Sequence, residues 1–589
     1  MGIRSIPSLV LLLLPTLINS FSTLRSTFTT TSSIQAQKTF FRSQLSSTSS
    51  SSFPLNFDDK KSDVEKTPDI LPQVFATGYS SNPDLLLAIT EAVTLAVNNL
   101  PPPPPHLTKN DNQIDLAMLT VSSLYDNQSV PITTVVPTLL TTAMNLYGTV
   151  KNVIGSTAGG IISWQEQNDD ETDDESDNIQ IIETEGTLGV SVTLALLPDV
   201  ELKAFHVDED DVPDDVTDDV GDVSKWKEAV HLNEWDIEPS EDETKENGAF
   251  FILPSPSFQT SIDDLLQGFQ YAYPKATVFG GIASTVSSLS RARLFLYKVG
   301  DSTADPTVYN SGCIGIGLKG DIKIHILVAQ GAKPVGGIYR IVDGEKSTIR
   351  IIVADEDATA AALINDGYES EKWKQINAKA LIPKPPLAEA NQIIKVLSDD
   401  NADFMKKILL VGLEKDKNRR PNELESLMKG QGYSYLVRQV ASAGMKDGSI
   451  TLPLESVSVE KGGRMRFFVR EGAYCKKEVE AIWCGYQNKV DSKSKTEDLS
   501  FSPSACFMIS TMDRGSKLFG AKVNKINQND GFEGNEVKKY LPNINSISGF
   551  YGNGVLAGLD GLFQESSENN EILVHGSASC YAIFGSSKL

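Results

Sequence analysis

The chain contains 589 residues and carries a formal net charge of -24 at pH 7. Because a single hydrophobic core rarely grows beyond about 250–300 residues, this length predicts two large domains together with additional segments. The excess of acidic residues excludes a protein that wraps the nucleic-acid backbone, since such a protein needs a broad basic face to displace counterions.

The N-terminal part of the chain has the composition of a targeting leader. An apolar run over residues 8–18 predicts a signal peptide at residues 1–20, and the run is too short for a stable membrane anchor. Residues 21–69 begin with a Ser- and Thr-rich tract that has no acidic residue before Asp58, which is typical of organelle transit peptides. With Phe21 at the junction, the leader resembles the bipartite plastid presequence of algae whose plastids descend from a red alga. We expect a plastid protein, with a secreted protein carrying a disordered Ser/Thr stalk as the alternative.

Three segments lack the pattern of a hydrophobic core. Residues 101–105 are five consecutive prolines and predict a stiff spacer. Residues 165–178 and 208–222 are acidic insertions, for which we expect solvated loops. Calcium binding is the alternative, but neither insertion has the ligand spacing of an EF-hand loop.

A strand, a helix, a second strand and a glycine-rich turn follow one another twice. The first copy starts with the strand Ile114–Ser122 and ends at the turn Gly155–Gly160, and the second starts with Ala249–Ser255 and ends at Gly280–Ser284. In each copy apolar residues recur at the i, i+3, i+4, i+7 spacing of one helix face. These faces are formed by Val136, Leu139, Leu140 and Ala143 in the first copy and by Ile262, Leu265, Leu266 and Phe269 in the second. A fainter third copy runs from Ala505–Thr511 to Ser546–Gly554.

The glycine-rich turns lack the spacing of known phosphate loops. Neither turn has the lysine of GxxxxGK[ST] or the pattern GxGxxG, so nucleotide binding by these devices is not expected. We interpret the glycines as positions where the backbone passes close to a neighbouring element, with a role in cradling a ligand as the alternative.

The remaining strand patterns indicate an α+β fold with two tandem mixed-sheet domains that contain the repeated units. The strands Gly312–Leu318 and Ile322–Ala329 flank Lys319-Gly320-Asp321 and predict a hairpin, which a purely parallel sheet cannot contain. We place the first domain at residues 70–355, a linker at residues 356–384 and the second domain at residues 385–587.

The sequence contains no signature of a catalytic or metal centre. Its five cysteines form no CxxC pair, and neither a GxSxG elbow nor an HExxH helix is present, so we expect no disulfide framework, no metal, no cofactor and no enzyme. Of the histidines, His325 lies mid-strand, where a structural role is expected, and His575 precedes Gly576 in a predicted strand and is a candidate ligand contact.

The order of these landmarks resembles the FIST sensory module, an N-terminal FIST domain followed by a C-terminal one. The segments VIGSTAGGI, FFILPSPSF, VFGGIAS, GCIGIGL and VAQGAKPVGG match the landmarks of the N-terminal domain. The segments ACFMISTMDRGSKLFG, SISGFYGNGVLAG and EILVHGSASCYAIF match those of the C-terminal domain.

The resemblance implies a module that senses a small ligand such as an amino acid. Three departures from the family pattern bear on this role, namely Thr511 in place of a frequent cysteine, Val555 in place of a frequent acid and Ala332 in place of a further cysteine. Because the acid would have met a ligand amine, we expect carboxylates without an amino group to bind at least as well as amino acids. The ligand-binding residues carried over by position are Gln330, Gly331, Pro334, Gly336, Arg514, Gly515, Phe550 and Gly554. His575, the candidate ligand contact named above, is added to them.

Three hypotheses from different classes follow. In the first, the loops Gln330–Gly336 and Gly549–Gly558 border one cleft, and Arg514 supplies its only fixed positive charge for a ligand carboxylate. In the second, the chain is a protein-interaction adaptor related to FIST proteins that carry an F-box, although it has no F-box of its own. An unrecognised enzyme is the third and least supported reading.

Overall fold

A computed structural model describes residues 73–103, 112–127, 130–166, 179–213, 223–230, 248–274, 276–300, 307–365, 371–400, 409–414, 423–453, 459–494, 501–520, 529–558 and 572–586. All of them belong to one compact unit that starts at Ile70. The leader, nearly all of the first acidic insertion and most of the second lie outside the described residues, so the expectations for these segments stay predictions.

The bounds of the strands follow the chain. They are β1 (Val74–Ser80), β2 (Gln113–Ser122), β3 (Thr149–Ala158), β4 (Gly160–Glu166), β5 (Ile179–Glu185), β6 (Val190–Leu196), β7 (Val200–Val207), β8 (Ala249–Pro254), β9 (Thr277–Gly281), β10 (Leu294–Lys298), β11 (Thr307–Tyr309), β12 (Cys313–Gly320), β13 (Lys323–Ala329), β14 (Lys333–Glu345), β15 (Thr348–Ala354), β16 (Leu409–Glu414), β17 (Tyr435–Gln439), β18 (Ser442–Ala443), β19 (Ile450–Thr451), β20 (Arg464–Val469), β21 (Ser502–Thr511), β22 (Asn529–Asp530), β23 (Ile547–Gly552), β24 (Val555–Gly558), β25 (Ile572–His575) and β26 (Ser579–Ser586).

The α-helices are α1 (Leu85–Asn98), α2 (Val135–Leu146), α3 (Val223–Ala229), α4 (Ile262–Ala272), α5 (Glu356–Asn365), α6 (Glu371–Ala380), α7 (Pro386–Asp400), α8 (Glu423–Met428), α9 (Gly472–Ser494), α10 (Gly515–Phe519) and α11 (Phe532–Tyr540). Together with the strands they confirm the α+β fold class. In the helices of the two predicted repeats, Val136, Leu139, Ala143 and the four named residues of α4 are buried, as the 3.6-residue period predicts.

Three sheets share one plan. Their strand orders are β1-β6-β2-β3-β10-β11, β7-β12-β8-β9-β24-β25 and β13-β26-β21-β23-β4-β5-β22, named here the first, second and third sheet. In each sheet one central pair is parallel and is joined through helices, and the strand on either side of that pair is antiparallel to it. The repeated unit predicted from the sequence therefore occurs three times, including the faint third copy.

The three sheets exchange hairpins in a cycle. The hairpin β4–β5, which follows the parallel pair of the first sheet, joins the third sheet. The hairpin β10–β11 returns from the second unit to the first sheet, and β24–β25 goes from the third unit to the second sheet. Aromatic side chains from the inner faces of all three sheets meet in the core. The ring centroids of Phe75 and Phe584 are 5.3 Å apart, and those of Phe251 and Phe507 are 5.2 Å apart. Of these three sheets, the two parts predicted as tandem domains thus share the second and the third, together with one core.

A fourth sheet lies within the third repeated unit. Its order is β17-β16-β20-β14-β15-β19-β18, and all its pairs are antiparallel. We call residues 333–469 the lobe, because the chain enters it after β13 and leaves it before α9. The segment predicted as a linker, residues 356–384, contains helices α5 and α6 of this lobe.

The prediction that the two strands flanking Lys319–Asp321 pair with each other as a hairpin is wrong. Strand β12 pairs with β7 and β8 in the second sheet, whereas β13 pairs with β26 in the third. Gly320 adopts a positive φ of 117° there and turns the chain from one sheet into another. A short turn between two strands does not determine whether they pair with each other, because pairing depends on partners far along the chain.

Glycines keep the central parallel pairs close together. Gly155, Gly280 and Gly549 stand opposite Leu119, Ile252 and Met508 in the three pairs. A Cβ on any of these glycines would lie inside the contact distance of the carbonyl oxygen of that partner. These positions confirm the close-approach interpretation. The segment Gly155–Ala158, predicted as a turn, instead continues β3, and the chain changes sheets at Gly159.

Candidate functional site

A cavity of about 290 Å³ lies where the lobe meets the second and third sheets. The lobe supplies residues of β16 and β17 together with Pro453, and the other sheets supply the turn between β23 and β24 and the end of β25. The lining residues are Gln259, Gln330, Leu410, Val437, Arg438, Gln439, Pro453, Arg470, Asn553, Val574, His575, Gly576 and Ser577. Two residues of the predicted site, Gln330 and His575, are among them, and Asn553 belongs to the predicted loop Gly549–Gly558.

The cavity sits beside the two connections between the lobe and the sheets. Gln330 follows β13 on the way into the lobe, and Arg470 follows β20 on the way out. The two connections run side by side because Lys333 pairs with Val469 at the start of the fourth sheet. An ion pair between Lys333 and Glu471, 2.7 Å long, holds them together. The fold thus brings residues 140 positions apart in the chain into one wall of the cavity.

Gln330 is fixed by hydrogen bonds on both ends of its amide. Its Nε2 donates to the carbonyl oxygen of Tyr435 (2.9 Å), and its Oε1 accepts from the amide of Val437 (2.8 Å). These bonds anchor the entry connection to β17, whose next residues, Arg438 and Gln439, line the cavity. Gln330 therefore shapes the wall that it shares with them.

Arg470 is the centre of a second polar group in the wall. Its Nη1 donates to Asp513 Oδ2 at 2.8 Å, and its Nη2 donates to the carbonyl oxygen of Ser577 at 3.0 Å. Ser577 Oγ donates to the same Asp513 oxygen, while Thr511 Oγ1 donates to the other one at 2.6 Å. Burial lowers the pKa of Arg470, and the nearby Asp513 carboxylate opposes that shift.

Arg438 is the other charged residue that lines the cavity. Its side chain is buried, and its Nη1 lies 3.4 Å from the carbonyl oxygen of Val437. Leu410, Val437 and Val574 provide apolar surface nearby. On the opposite side, His575 Nε2 donates to the carbonyl oxygen of Ala557 at 3.2 Å. The cavity therefore offers cationic, amide and hydroxyl groups beside a short hydrocarbon wall.

Arg514 occupies a different place from the one predicted. It is fully buried, does not line the cavity, and donates from Nη2 to Glu533 Oε1 at 2.7 Å. Burial raises the pKa of Glu533, but Arg514 and the hydroxyl donors of Ser579 and Tyr581 outweigh burial and lower it. The prediction that Arg514 supplies the only positive charge of the cleft is corrected, because Arg438 and Arg470 are the charged groups of the lining.

The predicted loop Gln330–Gly336 nevertheless meets the buried arginine through Gly331. Gly331 has a φ of +67°, and a Cβ there would collide with Arg514 Nη1. Its amide donates to Glu478 Oε2 at 2.7 Å, and Tyr433 donates to the other oxygen of Glu478 at 2.6 Å. Burial raises the pKa of Glu478, and Arg514 opposes this. Gly331 and Arg514 therefore act in packing rather than in the cavity wall.

The remaining predicted residues serve the backbone and the core. Pro334 is buried in β14, and the carbonyl oxygen of Gly336 accepts a 2.9 Å hydrogen bond from Arg466. A Cβ on Gly515 would collide with the carboxylate of Glu185. Phe550 packs on Phe507 with the ring centroids 6.2 Å apart. Gly554 accepts from the amide of Ile282 at 3.0 Å and positions the adjacent Asn553 at the cavity.

Glu183 reaches the third sheet with the exchanged hairpin. Its Oε1 accepts from the amide of Gly534 at the start of α11 (2.9 Å), and its Oε2 accepts from Tyr551 (2.7 Å). Burial, followed by repulsion from Glu533, raises the pKa of Glu183 to about 7. The carboxyl group lies outside the cavity and belongs to the packing of α11.

Other candidate sites are less developed. A wide depression of about 740 Å³ beside α1 contains none of the predicted site residues, and its acidic group, Glu91, already accepts from Ser80 and Asn82. Across the described ranges, no cluster of three or more His, Cys, Asp or Glu side chains is arranged to hold a metal ion. No described helix is both long and apolar enough to cross a bilayer. His325 is buried against Phe501 and Tyr486, as expected for a structural residue.

Comparison with known families identifies part of the chain. Residues 131–352 match the family model of the FIST N domain. This segment, named here the FIST N segment, is similar to the FIST N domain. The match runs from the turn before α2 into β15 and includes Gln330, Gly331, Pro334 and Gly336, but it covers less than half of the chain. No curated protein matches the sequence. The FIST N segment shares its sheets with β1, β2 and strands of the C-terminal part that lie outside the match.

Sequence reasoning missed most of the polar wall. Arg438, Gln439 and Arg470 belong to no landmark of the FIST pattern. Ser577 and Asp513 lie within landmarks but were passed over in favour of His575 and Arg514. The sequence signal that could have pointed to Asp513 is the short stretch Thr511–Arg514, where two charged residues follow a strand. Their directions could not be read from the sequence, because they depend on how the lobe packs.

Proposed function

We propose that this FIST domain protein is a non-catalytic sensor that binds a small carboxylate or amino acid in the cavity at the base of the lobe. The observation that carries the proposal is the composition of the cavity wall. It joins Gln330 of the FIST N segment to Asn553 and His575, which belong to the part of the chain that resembles a FIST C-terminal domain. We include that C-terminal assignment in the proposal.

The chemistry of the wall favours an anionic ligand with a short hydrocarbon part. Arginine donates parallel hydrogen bonds that match the two oxygens of a carboxylate. The apolar surface of Leu410, Val437 and Val574 is suited to a few methylene groups, and the amides of Gln439 and Asn553 are suited to a hydroxyl, oxo or amino substituent. A cavity of this size takes a molecule smaller than most drugs.

The location of the cavity supports sensing. Its wall is formed by the lobe on one side and by the shared sheets on the other, so a bound ligand would contact both. A ligand that binds only the assembled wall stabilises that arrangement by mass action. Such stabilisation is the physical basis on which a partner protein can distinguish the bound from the unbound state.

Titration calorimetry on the mature chain tests the proposal with a panel of acetate, butyrate, lactate, pyruvate, succinate, leucine and glutamate. We expect at least one monocarboxylate to bind and its affinity to fall about 10- to 100-fold in Arg438→Gln, since a charge-assisted hydrogen bond is lost. Gly576→Leu is a second test. A Cβ at Gly576 meets no atom within 4 Å, so the added side chain starts in open space at the cavity wall, and we expect it to weaken ligand binding.

The control is Arg350→Gln, which removes an exposed arginine bound to Glu345 on the lobe. This variant should keep wild-type affinity. If none of the panel binds, or if Arg438→Gln and Gly576→Leu bind as the wild type does, the cavity is not the site and the sensor proposal loses its support.

A further inference from the structure

Asp513 stands directly behind the cavity wall and compensates the charge of one of its two lining arginines. Its Oδ2 accepts from Arg470 Nη1 at 2.8 Å and also from Ser577 Oγ, and both of these partners line the cavity. Asp513 itself is not a lining residue. It therefore acts on a ligand through Arg470 and Ser577 and not by contact.

The position of Asp513 is fixed from the opposite side. Thr511 Oγ1 donates to its Oδ1 at 2.6 Å, and Thr511 belongs to β21, in the third sheet. Ser577 in turn accepts from Gln439 Nε2 at 3.1 Å, which connects the pair to the lobe. The carboxylate is therefore held by groups on both sides of the cavity, and Arg470 cannot turn away from it without breaking these bonds.

The energetic consequence concerns ligand charge. Arg470 is 9% exposed in its side chain, so its attraction for a ligand anion would be weakly screened if the guanidinium stood alone. With Asp513 at hydrogen-bonding distance, the guanidinium and the carboxylate form a pair of zero net charge, and a second ligand carboxylate meets repulsion from Asp513 as well as attraction from Arg470. Arg438 lines the cavity as well and can meet a first carboxylate.

We infer that Asp513 is a positioning residue that sets the charge of the ligand, so that the cavity prefers monocarboxylates to dicarboxylates of the same length. The inference rests on the proposed function of the cavity. In this inference the cavity distinguishes ligands by the number of their carboxylates, whereas the expectation from the sequence concerned the presence of a ligand amine. It also gives a role to the Thr at position 511, whose hydroxyl orients Asp513.

Butyrate and succinate provide the test, since both have four carbons and differ by one carboxylate. Calorimetry should show that the wild type binds butyrate more tightly than succinate at low ionic strength. In Asp513→Asn, which is isosteric and leaves Arg470 uncompensated, the ratio of the two dissociation constants should shift toward succinate by about tenfold. The shift should shrink in 0.5 M salt, because part of Asp513 is exposed to solvent.

The matched control is Asp343→Asn on the lobe. Asp343 has nearly the same exposure, 37% against 38%, and is likewise paired with a cation, Lys461, but it does not line or adjoin the cavity. Its substitution should leave the ratio unchanged. If butyrate binds and the ratio is the same in Asp513→Asn as in the wild type, the inference is overturned while the proposed function stands. If neither acid binds the wild type, the inference is overturned, and the proposed function is overturned with it only if no other member of the panel binds.

Discussion

Replacing Gly280 with alanine tests how tightly the parallel pairs are packed. The added Cβ would lie about 1 Å inside the 3.0 Å limit that real Cβ contacts respect, against the carbonyl oxygen of Ile252. The strands β8 and β9 would have to separate by a similar amount, although neighbouring strands normally lie about 4.8 Å apart. Two or three hydrogen bonds between the strands would weaken, and each contributes about 1 kcal/mol to stability. We therefore expect the free energy of unfolding to fall by about 3 kcal/mol.

Differential scanning calorimetry can measure this loss. At about 1 °C per kcal/mol for a cooperative unit of about 500 residues, the melting temperature of Gly280→Ala should fall by about 3 °C. Gly155→Ala should behave in the same way, because Gly155 occupies the equivalent register position opposite Leu119. Gly576→Ala adds the same methyl group where no atom lies within 4 Å and should leave the melting temperature within about 1 °C. Equal melting temperatures for Gly280→Ala and Gly576→Ala would refute the close-packing argument.

Two further predictions concern the second and third sheets, which both parts of the chain share. The raised pKa of Glu183, about 7 in the folded chain, means that the folded state binds its proton more tightly than the unfolded state, so stability falls as the pH rises from about 4.5 through 7. Glu183→Gln should therefore be more stable than the wild type by up to about 3 kcal/mol at pH 8, with the difference disappearing near pH 4.5, whereas parallel melting curves at every pH would contradict this. Residues 70–355 expressed alone should give no cooperative melting transition, because β4 and β9 lose their partners β23 and β24, and a sharp transition for this fragment would show that the halves fold independently.

Local patterns in the sequence predicted the repeated unit but not its assembly. The helix faces at Val136–Ala143 and Ile262–Phe269 follow from side-chain periodicity, which depends only on neighbours a few residues away. The exchange of hairpins depends on pairs such as Ser163 with Ser548, which are 385 positions apart. Both strands are β-rich and could pair with several others. Nothing in either segment marks its partner, so the shared sheets could not be predicted.

The candidate site was predicted in part for the same reason. Gln330 and His575 stand next to glycines in segments with a family landmark, and both line the cavity. Arg438 and Arg470 lie within or just after ordinary strands of the lobe, where a charged residue is as common on a solvent face as in a cavity. Their direction is set by the fourth sheet, whose order mixes strands from residue 333 to residue 469. The positive charge of the cavity wall therefore depends on the strand order of the fourth sheet and could not be predicted from local sequence.

The landmarks around Arg514 are explained by packing between the two parts of the chain. Gly331 lies against the Arg514 guanidinium, and Gly515 lies against the carboxylate of Glu185. A Cβ at Gly331 would meet a guanidinium that is fully buried, and a Cβ at Gly515 would displace a carboxylate that accepts a hydrogen bond from the amide of Ser516. Arg514 and Glu533 in turn form a fully buried ion pair, and removing one partner from such a pair leaves an uncompensated charge that costs about 3–5 kcal/mol. The sequence pairs Gln-Gly and Arg-Gly thus mark the joint that holds the base of the lobe against the third sheet. The proposed ligand site lies one residue away from each glycine or arginine of that joint, where Gln330 lines the cavity and Asp513 holds the lining residue Arg470.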